Sequence, residues 1–355
     1  MRILSTLMAA TVLACQLAAC VPAADAETLR DRQDLIYGSE IGAWDTNGGT
    51  AIHNQVARDN VRAARIKVVR WGVLDREAVL KPEFGATLDG IANLGAVPMI
   101  KLPPMTEGQC LGDERQWSIS WLKDIVRAAG PRVLIYEFGN EPDHYCGWKA
   151  AEYTAHWLRV APQLKRFARS QGFEILLGGP GLADSHTADL AYMATFLKTT
   201  RSLYQATGDR DYVPDFVSSH TYLTDTENAS IEATRARIDA WGGYFDSLRA
   251  LIDTTYRGVT DRSGRPLGPQ IKMASTEWNF TVDNQSTRGE DVAFTSFYVP
   301  AMFQMMREHG VWLSCQFTIA SHHGGALDLL REDGTGKPLY EAYKAASTVD
   351  PQNPA

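Results

Sequence analysis

The chain carries no run or stripe of lysine and arginine. Its 42 acidic residues outnumber 35 basic ones, for a formal charge of -7, so a nucleic-acid partner, which needs a basic face, is not expected. Cysteine is scarce, five in 355 residues, and no cysteine or histidine spacing fits a zinc site. Gly178-Gly179-Pro180-Gly181 lacks both the lysine of a phosphate loop and the glycine spacing of a dinucleotide site. It reads instead as a tight turn at the end of a strand. Nothing in the sequence calls for a metal or an organic cofactor. Beyond the first 26 residues no apolar stretch approaches the roughly 20 residues of a membrane span. No Ser/Gly linker, repeat or low-complexity tract divides the chain. What is left is an ordinary globular composition, 45% hydrophobic and 22% charged, with room for one α/β barrel.

Residues 1–26 read as an export signal: Arg2 precedes an apolar run from Ile3 to Ala19. Leu17-Ala18-Ala19-Cys20 looks like a bacterial lipobox, which would lipidate Cys20 and anchor the protein to the envelope membrane. A competing cut after Ala24-Asp25-Ala26 would release a soluble protein. The expected location is periplasmic or, as a lipoprotein, at the outer membrane, and otherwise secreted. Outside the cytoplasm, Cys110 and Cys146 are expected to pair as a disulfide, since both follow strands and the compartment is oxidising. Cys315, inside an apolar run, reads as a core residue.

After the signal, strand and helix patterns alternate. Strand-like segments begin near Leu35, Lys67, Val97, Val133, Glu174, Asp215, Ile271 and Trp312. Between them lie helix-period stretches, clearest over 151–170, where Tyr153, Trp157, Val160, Leu164 and Phe167 recur at spacings of three and four. Others span 231–252 and 290–309, and 258–270 reads as a long polar loop. Eight alternations predict a single-domain (β/α)₈ TIM barrel over 35–346, with a last helix at 339–346 and a polar tail at 347–355.

In such a barrel the chemistry sits where strands end in loops at the carboxyl face. Val133 to Phe138 form a nearly continuous apolar strand, and Gly139-Asn140-Glu141-Pro142 follow where the ladder must stop. Ile271 to Ser275 form another, followed by Thr276-Glu277-Trp278-Asn279. Two glutamates at two strand ends are what glycosidic cleavage requires. One protonates the leaving oxygen, and the other attacks the anomeric carbon or activates water against it. Further candidates sit at neighbouring strand ends: Arg70, Lys101, His220 and Tyr222. Arg70 would hold a nucleophilic carboxylate ionised. Tyr222 would bond the same group, and His220 either the general acid or a sugar hydroxyl. Trp44 and Trp278 are candidate sugar platforms. His322-His323-Gly324-Gly325 read as a rim loop.

These motifs, with Gly178-Gly179-Pro180, Ser219-His220-Thr221-Tyr222 and a closing segment from Gly325 to Tyr343, occur in the order seen in clan A glycoside hydrolases. The chain resembles glycoside hydrolase family 39 most, a group of β-xylosidases, α-L-iduronidases and exopolysaccharide hydrolases. The resemblance implies a retaining mechanism with Glu141 as acid/base and Glu277 as nucleophile, and Asn140 on the sugar 2-hydroxyl. It implies a carbohydrate partner, a β-linked poly- or oligosaccharide such as a bacterial exopolysaccharide. Two features depart from the family's usual pattern: no accessory β-sandwich, which often follows the barrel, is expected here, and Phe317 stands where clan members often place a stacking tryptophan. Transglycosylation by the same glutamates, or a non-catalytic sugar-binding barrel in the envelope, are the alternatives.

Overall fold

A computed structural model describes residues 25–353, apart from 43, 46, 73, 107–108, 111–117, 184–185, 225–226 and 322–324 and the side chains of 186–187. The signal with Cys20, and the His322-His323-Gly324 part of the rim, lie outside the described residues. The first half runs α1 (Ala26–Asp31), β1 (Gly38–Glu40), α2 (Gly49–His53), α3 (Gln55–Ala63), β2 (Val68–Gly72), α4 (Arg76–Val79), α5 (Pro82–Asn93), β3 (Val97–Leu102), α6 (Ile119–Ala129) and β4 (Ile135–Phe138). It continues with α7 (Ala150–Ser170), β5 (Leu176–Leu182), α8 (His186–Thr207), β6 (Phe216–Tyr222), α9 (Ile231–Thr255), β7 (Lys272–Asn279), α10 (Val292–Glu308), β8 (Leu313–Gln316) and α11 (Pro338–Val349). The eight strands pair in sequence order, all parallel, and β1 closes on β8. This is the expected (β/α)₈ barrel. No helix among the described residues is long and apolar enough to cross a membrane.

Alternation along each strand separates two environments. Outward residues such as Val69, Trp71, Ile100, Tyr136 and Phe138 join the large core beneath the helices. Inward residues form layers. The lower layer is apolar, with Val68, Met99, Ile135, Leu176, Phe216, Ala274 and Leu313 packed over Leu29 and Leu35. Two residues further along the same strands, the inward positions are Arg70, Lys101 and Glu137, all buried. The charged layer therefore rests on a dry floor.

Three strand readings need correction. The first strand is not at Leu35, where a 3₁₀ turn covers Asp34–Ile36 and Leu35 plugs the barrel floor. Gly38–Glu40 is the strand, and its residues, Gly-Ser-Glu, carry no apolar pattern to announce it. Gly178-Gly179-Pro180-Gly181 is not a turn but the middle of β5. A Cβ on Gly178 would lie 2.4 Å from the Phe216 carbonyl oxygen, so glycine serves close approach there. Finally, Thr276-Glu277-Trp278-Asn279 belong to β7 itself rather than to its following loop. The last helix also runs past 346 to Val349, and Asn353 is buried, with its carbonyl accepting from Arg65 at 2.8 Å.

Candidate active site

Two local distortions set the carboxylates. In β7 the register against β6 shifts between Ser219 and His220, leaving Thr276 unopposed. A bulge lets consecutive residues face the same side. Thr276 and Glu277 both point into the barrel, where Thr276 Oγ1 donates to Glu137 at 2.7 Å. After β4, Glu141 takes φ +48°, a left-handed conformation uncommon for a residue with a Cβ. Its own hydrogen bonds hold it there: the Glu141 N–H donates to the Gly181 carbonyl at 2.8 Å, and its carbonyl accepts from His144 and Tyr145 at 3.0 and 2.8 Å. Gly181 is itself left-handed, φ +64°, at a register shift of β5 against β6.

The two carboxylates come together. One oxygen of Glu141, one of Glu277 and a ring nitrogen of His220 all lie within 4.8 Å of one another. His220 Nδ1 sits 2.7 Å from Glu141 and 3.6 Å from Glu277. The charged layer's central cation is equally committed: Arg70 donates to Glu277 at 2.6 Å, to Glu137 at 2.8 Å, to the Asn140 side chain at 2.6 Å, and also to Glu40. Lys101 bonds Glu40 and lies 3.9 Å from Glu277. Tyr222 donates to the second oxygen of Glu277 at 2.8 Å.

The electrostatics follow from burial against charge. Burial alone would raise the Glu277 carboxyl, but the cations of His220, Arg70 and Lys101 outweigh it and hold the group at about 2. Burial alone would likewise lower His220, yet Glu277 and Glu141 raise it above the usual histidine range. Glu40 goes the other way: burial pushes it up, and Arg70 and Lys101 do not fully compensate. Three carboxylates share Arg70, and of Glu40 and Glu277 it is Glu40 that gives up its charge more readily.

Above this layer lies a cleft of about 670 Å³, lined by Lys101, Asn140, Glu141, Asp143, Tyr145, Tyr222, Glu277, Trp44 and Phe317 among others. Trp44 is half exposed and meets Phe317 edge-on, with ring centroids 6.3 Å apart. Phe317 in turn meets Tyr222 edge-on at 6.4 Å. Trp278 is not part of this wall. It is fully buried on the outer face of β7, stacked on Tyr343 and bonded through Nε1 to Ser314. Because β7 continues through Asn279, alternation sends Trp278 away from the side Glu277 faces, so it cannot be a sugar platform. Arg70 and His220 are fully buried as well, so they hold the carboxylates rather than touch a ligand. Lys101 and Asn140 do line the cleft. The Cys110–Cys146 disulfide, with Cα atoms 4.9 Å apart, ties the loop after β3 to the loop carrying Glu141.

Among the described residues, Glu141, His220 and Glu277 are also the group whose geometry could hold a metal ion. Their oxygens and ring nitrogen already serve one another, Arg70 and Tyr222, and two cations adjoin Glu277, a poor setting for a third. The arrangement suits proton handling between two carboxylates. Sequence reasoning missed Glu40 and Glu137. Glu137 was hidden in an apolar run, although a charge inside a strand otherwise buried on both faces is itself a signal.

No protein-family model matches the chain, and no curated protein matches it in sequence. Among solved structures it is similar to a family 39 β-xylosidase from Caulobacter crescentus, at 17% identity and TM-score 0.55, over 89% of this chain and 72% of that one. A family 44 xyloglucanase from Paenibacillus polymyxa aligns at 12% identity and TM-score 0.54, over 88% and 76%. A GH5-4 broad-specificity endoglucanase from Clostridium acetobutylicum aligns at 12% and 0.58, over 91% and 99%. Identities this low establish the barrel fold, and the spread over three glycoside hydrolase families singles out none of them.

Proposed function

We propose that the chain is a retaining glycosidase cleaving β-linked glycan by double displacement. The observation that carries this is the Glu141–Glu277 approach, with carboxylate oxygens within 4.8 Å across the floor of an accessible cleft. Retaining enzymes hold the two carboxyls about 5–5.5 Å apart, whereas inverting ones need about 6.5–9.5 Å to admit a water. The similarity to structures of a β-xylosidase, a xyloglucanase and an endoglucanase supports glycan as the substrate.

The roles follow from the environments. Glu277, ionised beside Arg70 and Tyr222, attacks the anomeric carbon while Glu141 delivers a proton to the leaving oxygen. Glu141 and His220, 2.7 Å apart, share that proton. Once it leaves with the departing sugar, the pair is a neutral imidazole beside a carboxylate, and Glu141 can take a proton from the incoming water. Asn140, steered by Arg70, would bind the hydroxyl next to the reacting carbon, and Trp44 and Phe317 would wall the sugar. Export, lipidation at Cys20 and action on a bacterial exopolysaccharide complete the proposal. The mass of the mature amino terminus tests the lipid anchor.

Product analysis on β-linked polysaccharides, with proton NMR of the first-formed anomer, tests the reaction. The expected result is shortened glycan, initial β-anomers, and a roughly thousand-fold or greater loss of rate in Glu277→Gln. Initial α-anomers would replace retention by inversion. Longer oligomers would indicate transglycosylation, and unchanged glycan that still binds both proteins would leave a binding barrel.

A further inference from the structure

We infer that this cleft selects β-glycans bearing free amino groups and excludes polyuronates, an inference that rests on the glycosidase reading of the same site. The observation is the distribution of charge. Among the described residues, six of the eight segments that join a strand to the next helix at the carboxyl face carry more acidic than basic residues. Asp45, Asp75, Asp143, Glu227, Asp283 and Asp328 each represent a different one of them. Together these six segments hold eleven acidic and four basic described residues, a formal -7, where the described residues as a whole hold 33 basic and 37 acidic, a formal -4. The remaining described residues are therefore net positive, so the acidity belongs to this face.

The floor of the cleft does not offset the rim. Lys101 is the one lysine or arginine in the described lining, and it is bonded to Glu40. Arg70, beneath it, is committed to Glu40, Glu137, Glu277 and Asn140. A uronate entering the cleft would thus meet carboxylates without an uncommitted lysine or arginine in the described lining, and like charges brought together oppose binding. Asp143 places a carboxylate in the cleft two residues from Glu141. It accepts from the Ala183 N–H at 3.2 and 3.4 Å. A carboxylate has about four acceptor directions, so lone pairs remain for an ammonium or hydroxyl of a bound sugar. Walls of low dielectric concentrate the field of such a rim into the cleft, which raises the local concentration of a cationic polymer.

The test is calorimetric titration of Glu277→Gln, which keeps the oligomers intact, near pH 6, where sugar amines are charged. The probes are amino, hydroxyl and uronate oligosaccharides of equal length, in β-1,3, β-1,4 and β-1,6 linkages. In about 20 mM salt the amino oligomers should bind about tenfold or more tighter than the hydroxyl ones, and in about 0.5 M salt, where screening shortens the field to a few ångströms, less than about twofold. Asp143→Asn added to the same protein should cut the amino-to-hydroxyl ratio several-fold. Equal binding of amino and hydroxyl oligomers at low salt, binding of uronates as tight as of amines, or no binding of any amino oligomer would overturn the inference. Hydrolysis by the wild type is read in parallel. Amino preference without cleavage would retain charge selection and remove the glycosidase reading; cleavage of neutral glycan without amino preference would do the reverse.

Discussion

Glu277 owes its ionisation to three neighbours rather than to solvent, since it is almost wholly buried. A nucleophile held at about 2 remains charged at any pH well above that value. Protonation from below is the only way to lose it, so the acid limb of kcat/KM belongs near 2 instead of near the 4.5 of an unperturbed glutamate. Lys101→Met removes one of the charges that lower the group, and should move that limb upward by about one unit. Lys101→Arg, which keeps the charge, should leave it close to the wild-type position. The measurement is a pH–rate profile taken where tryptophan fluorescence shows the barrel intact, and an unmoved limb in Lys101→Met would refute the assignment. The two glutamates of the site were legible in the sequence because each follows an apolar run, and Gly139 and Pro142 mark a stop. Tyr222 and His220 were legible through their shared strand end. Glu40 was not, because a three-residue strand of Gly-Ser-Glu has no hydrophobic period, and its importance lies in contacts with Arg70 and Lys101 that are distant in sequence.

At the scale of the element, irregular strands decide where side chains point. The long helices were readable because a 3.6-residue period repeats many times over 150–170 and 231–255. Bulges have no such repetition. The extra residue in β7 turns Glu277 inward, and strict alternation resumes just in time to send Trp278 outward. The β5 irregularity acts on the partner carboxylate: the Gly181 carbonyl receives the Glu141 N–H, and a Cβ on Gly181 would stand 3.2 Å from Glu137 Oε1 and 3.5 Å from His220 Nε2. Gly181→Ala should therefore cost about 1–2 kcal/mol for the left-handed backbone alone. Crowding of Glu137 and His220 should lower kcat as well. Chemical denaturation and steady-state kinetics check the two effects. Unchanged stability and unchanged kcat would mean that the bulge does not position Glu141.

For the whole molecule, the rim is assembled from loops that the barrel brings together but does not by itself restrain. The Cys110–Cys146 bridge spans 36 residues, which in the chain-entropy account is worth up to about 4 kcal/mol. Paired replacement of both cysteines by serine should lower the unfolding free energy by about 2–4 kcal/mol. KM should rise more than kcat falls, because Tyr145, next to Cys146, lines the cleft while Glu277 stands on a strand. Equal stability of the oxidised wild type and the double serine variant would argue against a closed bridge in solution.

The seam between β1 and β8 also has a meaning in time. These strands meet through a single register pair, Ser39 with Gln316, reinforced by the Ser39 hydroxyl on the Gln316 carbonyl at 2.8 Å. A ribosome releases Ser39 hundreds of residues before Gln316. Without that last strand Glu40, Arg70 and Lys101 would stand in an open trough, each charge hydrated. Only when the final strand arrives does the cylinder shut and water leave. Desolvation of that charged layer is thus tied to closure of the barrel, and a chain truncated before Leu313 would be left with its charges in a gutter.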